Sequence, residues 1–321
     1  MATPTVRARR APLTGADGTW AGLLLDVDGR PAPALGVRTA ERRMLLTQGP
    51  DPLLFAVVAP DRCGVDFYRT DCFRPVLPPL RADTARRYGG SARRWAYHFA
   101  DALAETPYGP LHDGRWVLGR EAASHHRNRW SRPPGEYGQS PLVEGHPSGE
   151  IDWFVHNGSW ELLPLRALPE ADDARVKAYR KQAREGILPP VLLWWVSGLD
   201  CFTVLDGHAR LAAAVAESVE PTLLDLHRTV PQDEKDSGTA AAVAAYESEL
   251  GRFSWLRERL GPVHGSRVPD GARVAGPLLA TRLRELHSAR WPTRAWPLPG
   301  GNAEWRRLLR DHRADGDHEH G

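Results

Sequence analysis

The apolar run FTVL at 202–205 stops at Asp206-Gly207-His208, and an alanine-rich helical pattern begins at once. A strand that hands over to a helix through so short a turn leaves the first N–H groups of that helix without an acceptor. The macrodipole adds partial positive charge at the same place. An anion at Gly207, His208 and Ala209 would then be held by backbone alone, the physical basis of a phosphate-binding loop. Gly207 lets the backbone come close, Arg210 offers bidentate hydrogen bonds to phosphate oxygens, and His208 can donate to them or carry a proton. Asp206 needs a positive charge between itself and an anion, and Mg²⁺ bound to both is the ordinary solution. The same residues also make an ordinary helix start, with Asp206 as N-cap and the rest facing solvent.

The flanks of this junction alternate between two periodicities. "WELLPLRAL" is extended, and Asp172 or Asp173 opens a short helix with Val176, Tyr179 and Ala183 on one face, ended by Gly186. "ILPPVLLWWV" and "CFTVL" read as strands joined by a turn at "SGLD". The helix at 208–218 carries Leu211, Ala214, Val215 and Ser218 on one stripe, and "TLLDLHR" returns as a strand. The expected order is β-α-β-β-α-β.

This stretch, about residues 160–228, resembles the ParB/sulfiredoxin-like superfamily. The opening strand with its "PL" step, the helix ending "REGI", the proline-led strand and "LDGHARLAAA" carry the resemblance. Members include partition proteins that bind and hydrolyse CTP, sulfiredoxins that use ATP, and free-serine kinases. The resemblance implies a nucleoside tri- or diphosphate (ATP, ADP or CTP) with Mg²⁺ on the loop at Asp206–Arg210. The kinases' DGHHR loop is the nearest, with Ala209 in place of the second histidine. Sulfiredoxins have a catalytic cysteine where this chain has His208, and the arginine-rich partition signature is absent. The kinases' general base, a glutamate just after the opening strand, maps onto Glu170, although acids also gather at helix starts for dipole reasons. The resemblance therefore implies a Mg²⁺-dependent phosphotransferase or nucleotide hydrolase acting on a small hydroxyl-bearing molecule. Asp206 would be the metal ligand, and Glu170, Asp206 and His208 would be catalytic. A nucleotide-gated, DNA-associated regulator and a non-catalytic scaffold are the alternatives.

The rest of the chain suggests an α+β protein of several parts. Residues 1–18 read as a flexible tail, and 19–148 as a separate N-terminal α+β domain with a mostly antiparallel sheet and a helix capped by Ser91. The resemblance implies a ParB/sulfiredoxin-like domain over residues 149–230; 231–310 read as a helical region entered through the acidic linker "PQDEKDSG", and 311–321 as a disordered tail. The Pro- and Gly-rich stretch 124–150 reads as a linker or long loop.

Forty-two basic against 40 acidic side chains give a net charge of +2, so nothing draws the whole chain toward DNA or an anionic membrane. No apolar run reaches the roughly 18 residues of a membrane span, and a cytoplasmic location is expected. Cys63, Cys72 and Cys201 lack the spacing of a zinc site or a disulfide framework. His125-His126 and the set His146, Glu150 and Asp152 read as polar loop. Trp153, Trp160, Trp194, Trp195, Trp291, Trp296 and Trp305 read as packing residues, and Arg306, Arg307 and Arg310 as a solvated helix face.

Overall fold

Alternating apolar residues broken by Gly, Pro and Asp send the first third of the chain into strands. The computed structural model describes residues 7–15, 17–59, 63–120, 148–152, 162–288 and 292–316. Six strands come first: β1 (Arg7–Thr14), β2 (Trp20–Asp28), β3 (Leu35–Ala40), β4 (Arg43–Gln48), β5 (Asp51–Val58) and β6 (Gly64–Arg69). Helices α1 (Ala82–Tyr88) and α2 (Ala92–Glu105) follow, then β7 (Gly114–Gly119), β8 (Ser148–Asp152) and β9 (Leu162–Pro164). Next come α3 (Ala174–Arg184), β10 (Val191–Val196), β11 (Cys201–Asp206), α4 (His208–Ala216) and β12 (Leu223–Arg228). The chain ends in α5 (Gln232–Arg259), α6 (Gly261–Gly265), α7 (Gly271–Ser288), β13 (Ala295–Pro297) and α8 (Gly301–Gly316).

The expected β-α-β-β-α-β order is present as β9-α3-β10-β11-α4-β12. β10 and β11 are antiparallel, β9 runs parallel to β11, and β12 runs parallel to β10 with Trp194 opposite Leu226. Caps set the helix starts as their chemistry requires. Ser91 Oγ accepts from the Arg94 amide, and Asp173 Oδ1 accepts from the amides of Arg175 and Val176.

These four strands do not close a sheet of their own. β12 neighbours β7, and the seven-stranded sheet runs β1-β2-β7-β12-β10-β11-β9. Its core is shared: Leu23, Trp95, Phe99 and Trp116 cluster with Leu163, Leu192, Trp194 and Leu226. Strands from both sides of the boundary expected at 148–149 thus lie in one sheet over one core. The second sheet runs β13-β3-β4-β5-β6-β8, and α8 is fixed to it through Trp305, which donates to the Met44 carbonyl at 2.9 Å and meets Phe55 edge-on.

The chain divides instead into residues 1–227 with 292–321, and residues 228–291. The smaller unit contains α5, α6 and α7, and α7 passes so close to α5 that a Cβ on Gly238 would lie 2.7 Å from Leu286.

Three segments expected to lack structure have it. Residues 7–14 of the expected tail form β1, which covers the edge of β2 and carries Pro12 on its own edge position. The acidic patch after Pro231 is the first turn of α5, where Asp233 and Glu234 face the positive end of the macrodipole. α8 extends to Gly316, held in part by Arg307 donating to Glu304 and Asp311. Most of the 124–150 stretch lies outside the described residues, but its end forms β8 against β6.

Candidate functional site

β11 ends at Asp206, and Gly207 turns the chain at φ 101° and ψ 22°. That left-handed backbone suits glycine and strains other residues. Gly207 rather than Asp206 is the N-cap of α4, and no side chain caps the helix. Asp206 sits one residue too early for that role; its carboxylate accepts from Arg210 Nη2 at 2.5 Å, one turn along. The Arg210 side chain is 3% exposed and that of Asp206 18%. The guanidinium folds back over the turn, so a Cβ on Gly207 would stand 2.8 Å from Nη2.

The helix mouth expected to cradle a phosphate at Gly207, His208 and Ala209 is therefore closed. All three residues are buried, and the protein's own arginine fills the space. The Phe73 ring lies 5.6 Å from that of His208, and the Arg210 guanidinium lies 6.0 Å from the rings of Phe99 and Tyr179. The cause is α4 itself, which is buried from His208 to Ala214. Leu211 packs on the sheet, while Ala209, Ala212 and Ala213 pack on Val176 and Tyr179 of α3.

A cation cluster surrounds the closed mouth. Arg69, the last residue of β6, is 7% exposed and donates from Nη1 to the Pro164 carbonyl at 3.1 Å. Arg166 is half-buried on the connection from β9 to α3. The Nε atoms of Arg69, Arg166 and Arg210, and Nε2 of His208, are buried without a hydrogen-bond partner. Burial pushes the His208 imidazole well below its usual range, and the guanidiniums of Arg166, Arg210 and Arg69 push it the same way, so the ring is neutral. Burial also lowers Arg69, with Asp71 opposing, yet a guanidinium in a protein stays charged.

A cleft of about 480 Å³ opens beside the cluster. Arg69 and Pro164 line one part of it, Leu168, Pro169 and Glu170 from the connection into α3 another, and Ala212, Val215 and Ala216 of α4 a third. Arg69 and Glu170 thus share one cavity. Residues 206–210 are not on its wall; they lie behind it, with Arg69 common to cleft and cluster.

The residues do not fit a magnesium ion. Asp206, the expected ligand, is one carboxylate already engaged by Arg210, in a cluster that also holds Arg69 and Arg166. Among the described residues no three His, Cys, Asp or Glu side chains are placed to hold a metal. Arg210 supplies the positive charge that Asp206 needs beside an anion.

Sequence reasoning missed Arg69 and Arg166. A signal for Arg69 existed: Val65, Phe67 and Arg69 take the inward positions of β6, so a charge stands where the alternation calls for an apolar residue. Arg166 carries no comparable mark. Of the other candidates, Trp194, Trp195 and Trp305 are buried, and Trp296 is half-buried with the guanidiniums of Arg38 and Arg294 at 5.8 and 5.2 Å from its ring. Arg306 and Arg310 are exposed on α8, and Glu150 lies in β8. Asp152 ends β8; His125, His126, His146, Trp153, Trp160 and Trp291 lie outside the described residues. The three cysteines are free thiols. No helix among the described residues is long and apolar enough to cross a membrane. Compared with family models, curated proteins and solved structures, the chain matches none.

Proposed function

We propose that this protein binds a phosphorylated small molecule, a nucleotide in the first instance, in the cleft beside α4, and transfers its phosphoryl group to a hydroxyl-bearing acceptor or to water. One observation carries this reading: Arg69, 7% exposed, lines a cleft with a buried Nε that has no hydrogen-bond partner, and the half-buried Arg166, which lies in sequence between Pro164 and Ala167 of the cleft wall, has another. Guanidiniums are costly to bury, and their planar fork matches phosphate oxygens. The apolar part of the wall, Leu168, Ala212 and Val215, suits the uncharged body of such a ligand. Glu170 stands in the same cavity as the carboxylate for the chemistry. It takes the proton of the acceptor hydroxyl as that oxygen bonds to phosphorus, while the bond to the leaving oxygen breaks and its electron pair departs with the leaving group.

The test is a thermal-shift panel of ATP, ADP, CTP and GTP with magnesium present, on wild type and Arg69→Ala. A ligand at about 100 times its Kd adds about 2.7 kcal/mol, a rise of roughly 5 °C or more for a unit of this size. A nucleotide that raises the wild-type Tm and leaves the variant unmoved supports the reading. A panel in which no nucleotide moves the wild type refutes it.

A further inference from the structure

The charge count around the cleft says what kind of anion fits it and how it is held. Three guanidiniums are gathered beside the cleft: Arg69 of its wall, from β6, Arg166 from the connection after β9, and Arg210, paired with Asp206, at the start of α4; Glu170 is the carboxylate on the cleft wall itself. Asp206 and Arg210 neutralise one another in a closed pair. His208 is neutral and adds no charge. Two positive charges remain, on Arg69 and Arg166, each with a buried Nε that donates to nothing. The other acids here are exposed: Asp71, whose charge acts on Arg69, and Glu170 on the cleft wall, and neither is hydrogen-bonded to these arginines among the described residues. Two guanidiniums with buried, unpartnered Nε donors, opposed only by exposed acids, are matched by a ligand group with two negative charges. A divalent cation brought between them would meet donors only, since guanidinium has no acceptor.

Resting on the phospho-ligand reading above, we propose that the cleft takes a phosphate dianion, whether free phosphate, a phosphomonoester or the terminal phosphate of a nucleotide, and that Arg69 and Arg166 grip it directly with no magnesium ion between. Arg210 stays with Asp206 and serves as a positioning residue, holding the helix start in place behind the two gripping arginines.

The experiment uses the full chain treated with EDTA and titrates it calorimetrically with inorganic phosphate, O-phosphoserine and ADP, each in EDTA and again with excess Mg²⁺. The expected result is that at least one of the three binds with affinities within about twofold in the two buffers; the ligand that binds tightest identifies the source of the dianion. Arg166→Ala is expected to weaken that ligand by about tenfold or more, with Arg166→Lys recovering part of the loss. Unliganded melting curves of both variants report whether the fold itself has changed. Sulfate supplies a second arm: it stays dianionic at about pH 5.5, where phosphate, with a second pKa near 6, is largely monoanionic. Phosphate weakening between about pH 7.5 and 5.5 relative to sulfate supports the dianion requirement, and equal behaviour overturns it. Binding seen only with Mg²⁺ overturns direct grip while leaving the phospho-ligand reading standing. Failure of every ligand in both buffers removes that reading as well.

Discussion

Arg210 reaches back one helical turn to donate to Asp206 at 2.5 Å, and in doing so closes the helix mouth that these two residues flank. The pair is mostly withdrawn from water, with side chains 3% and 18% exposed. Removing one partner of such a pair leaves a charge buried and unpaired. Asp206→Ala is therefore expected to cost about 3 kcal/mol, well above the roughly 1 kcal/mol of a lost N-cap. Adding Arg210→Met should restore much of the loss, because an apolar replacement of the whole pair has no unpaired charge. Urea unfolding of the single and double variants reads the difference; equal midpoints for wild type and Asp206→Ala would show that the pair contributes nothing.

Gly207 carries two constraints at once. Its φ of 101° is strained for any residue with a Cβ, and that Cβ would stand 2.8 Å from Arg210 Nη2. Gly207→Ala should cost about 1–3 kcal/mol from the backbone alone, and more if the guanidinium is driven off Asp206. The same Tm loss in Arg210→Met and in Arg210→Met with Gly207→Ala would mean that the backbone is unstrained.

Much of the module around α4 is legible because its two periodicities are cleanly punctuated. Gly186, the prolines 189 and 190, and Gly207 separate strand from helix, and Asp173 caps where an acid before a helical stripe should. What is not legible is long-range. That β12 lies beside β7, from a distant part of the chain, leaves no mark in either strand, since the pattern within GRWVLG or LLDLHR says which side faces the core and not which strand lies alongside. The site suffers in the same way. Asp206 reads as a cap because cap and strand-end positions differ by one residue, and only the fold brings Arg69 and Arg166 to the junction.

The shared sheet predicts how the chain can be cut. A fragment of residues 149–230 loses β7 from beside β12, and loses Phe73 and Phe99 from over His208 and Arg210. It is expected to show no cooperative urea transition. Replacing residues 232–288 by a short Gly/Ser linker should leave the larger unit folded. β12 and the Thr293 segment, which bonds Trp195 and Ser197 at the end of β10, leave from neighbouring strands. A folded 149–230 fragment would restore the boundary that the topology removes.

Glu170 tests chemistry apart from binding. It lines the cleft and is exposed; its carbonyl accepts from the Asp173 amide, and its side chain makes no hydrogen bond among the described residues. Glu170→Gln should leave the ligand-induced rise in Tm unchanged and lower the rate of phosphoryl release or transfer by about 10²–10⁴-fold, the usual contribution of a general base. An unchanged rate would remove Glu170 from the reaction.

His208 sets the acid limit of stability. Its ring is buried, packs against Phe73 and faces Arg69, Arg166 and Arg210, all of which hold it neutral, so its folded pKa lies well below the ordinary value. Asp206 is tied to Arg210, and the exposed Asp71 acts on Arg69. In the unfolded chain the imidazole takes a proton near pH 6.5. As pH falls below that point the unfolded state binds a proton that the folded state refuses, so stability rises with pH across the window and is lost on acidification. Above about pH 6.5 both states are neutral and the residue contributes no slope. Within the window the slope approaches about 1.4 kcal/mol per pH unit and ends where the folded pKa is reached. His208→Gln removes this term and leaves the other histidines in place. Between about pH 7.5 and 5.5 the wild type should therefore lose about 1 kcal/mol more than the variant in urea unfolding. Parallel acid limbs for the two proteins would mean that His208 takes up its proton as readily folded as unfolded, and that the guanidiniums do not crowd it.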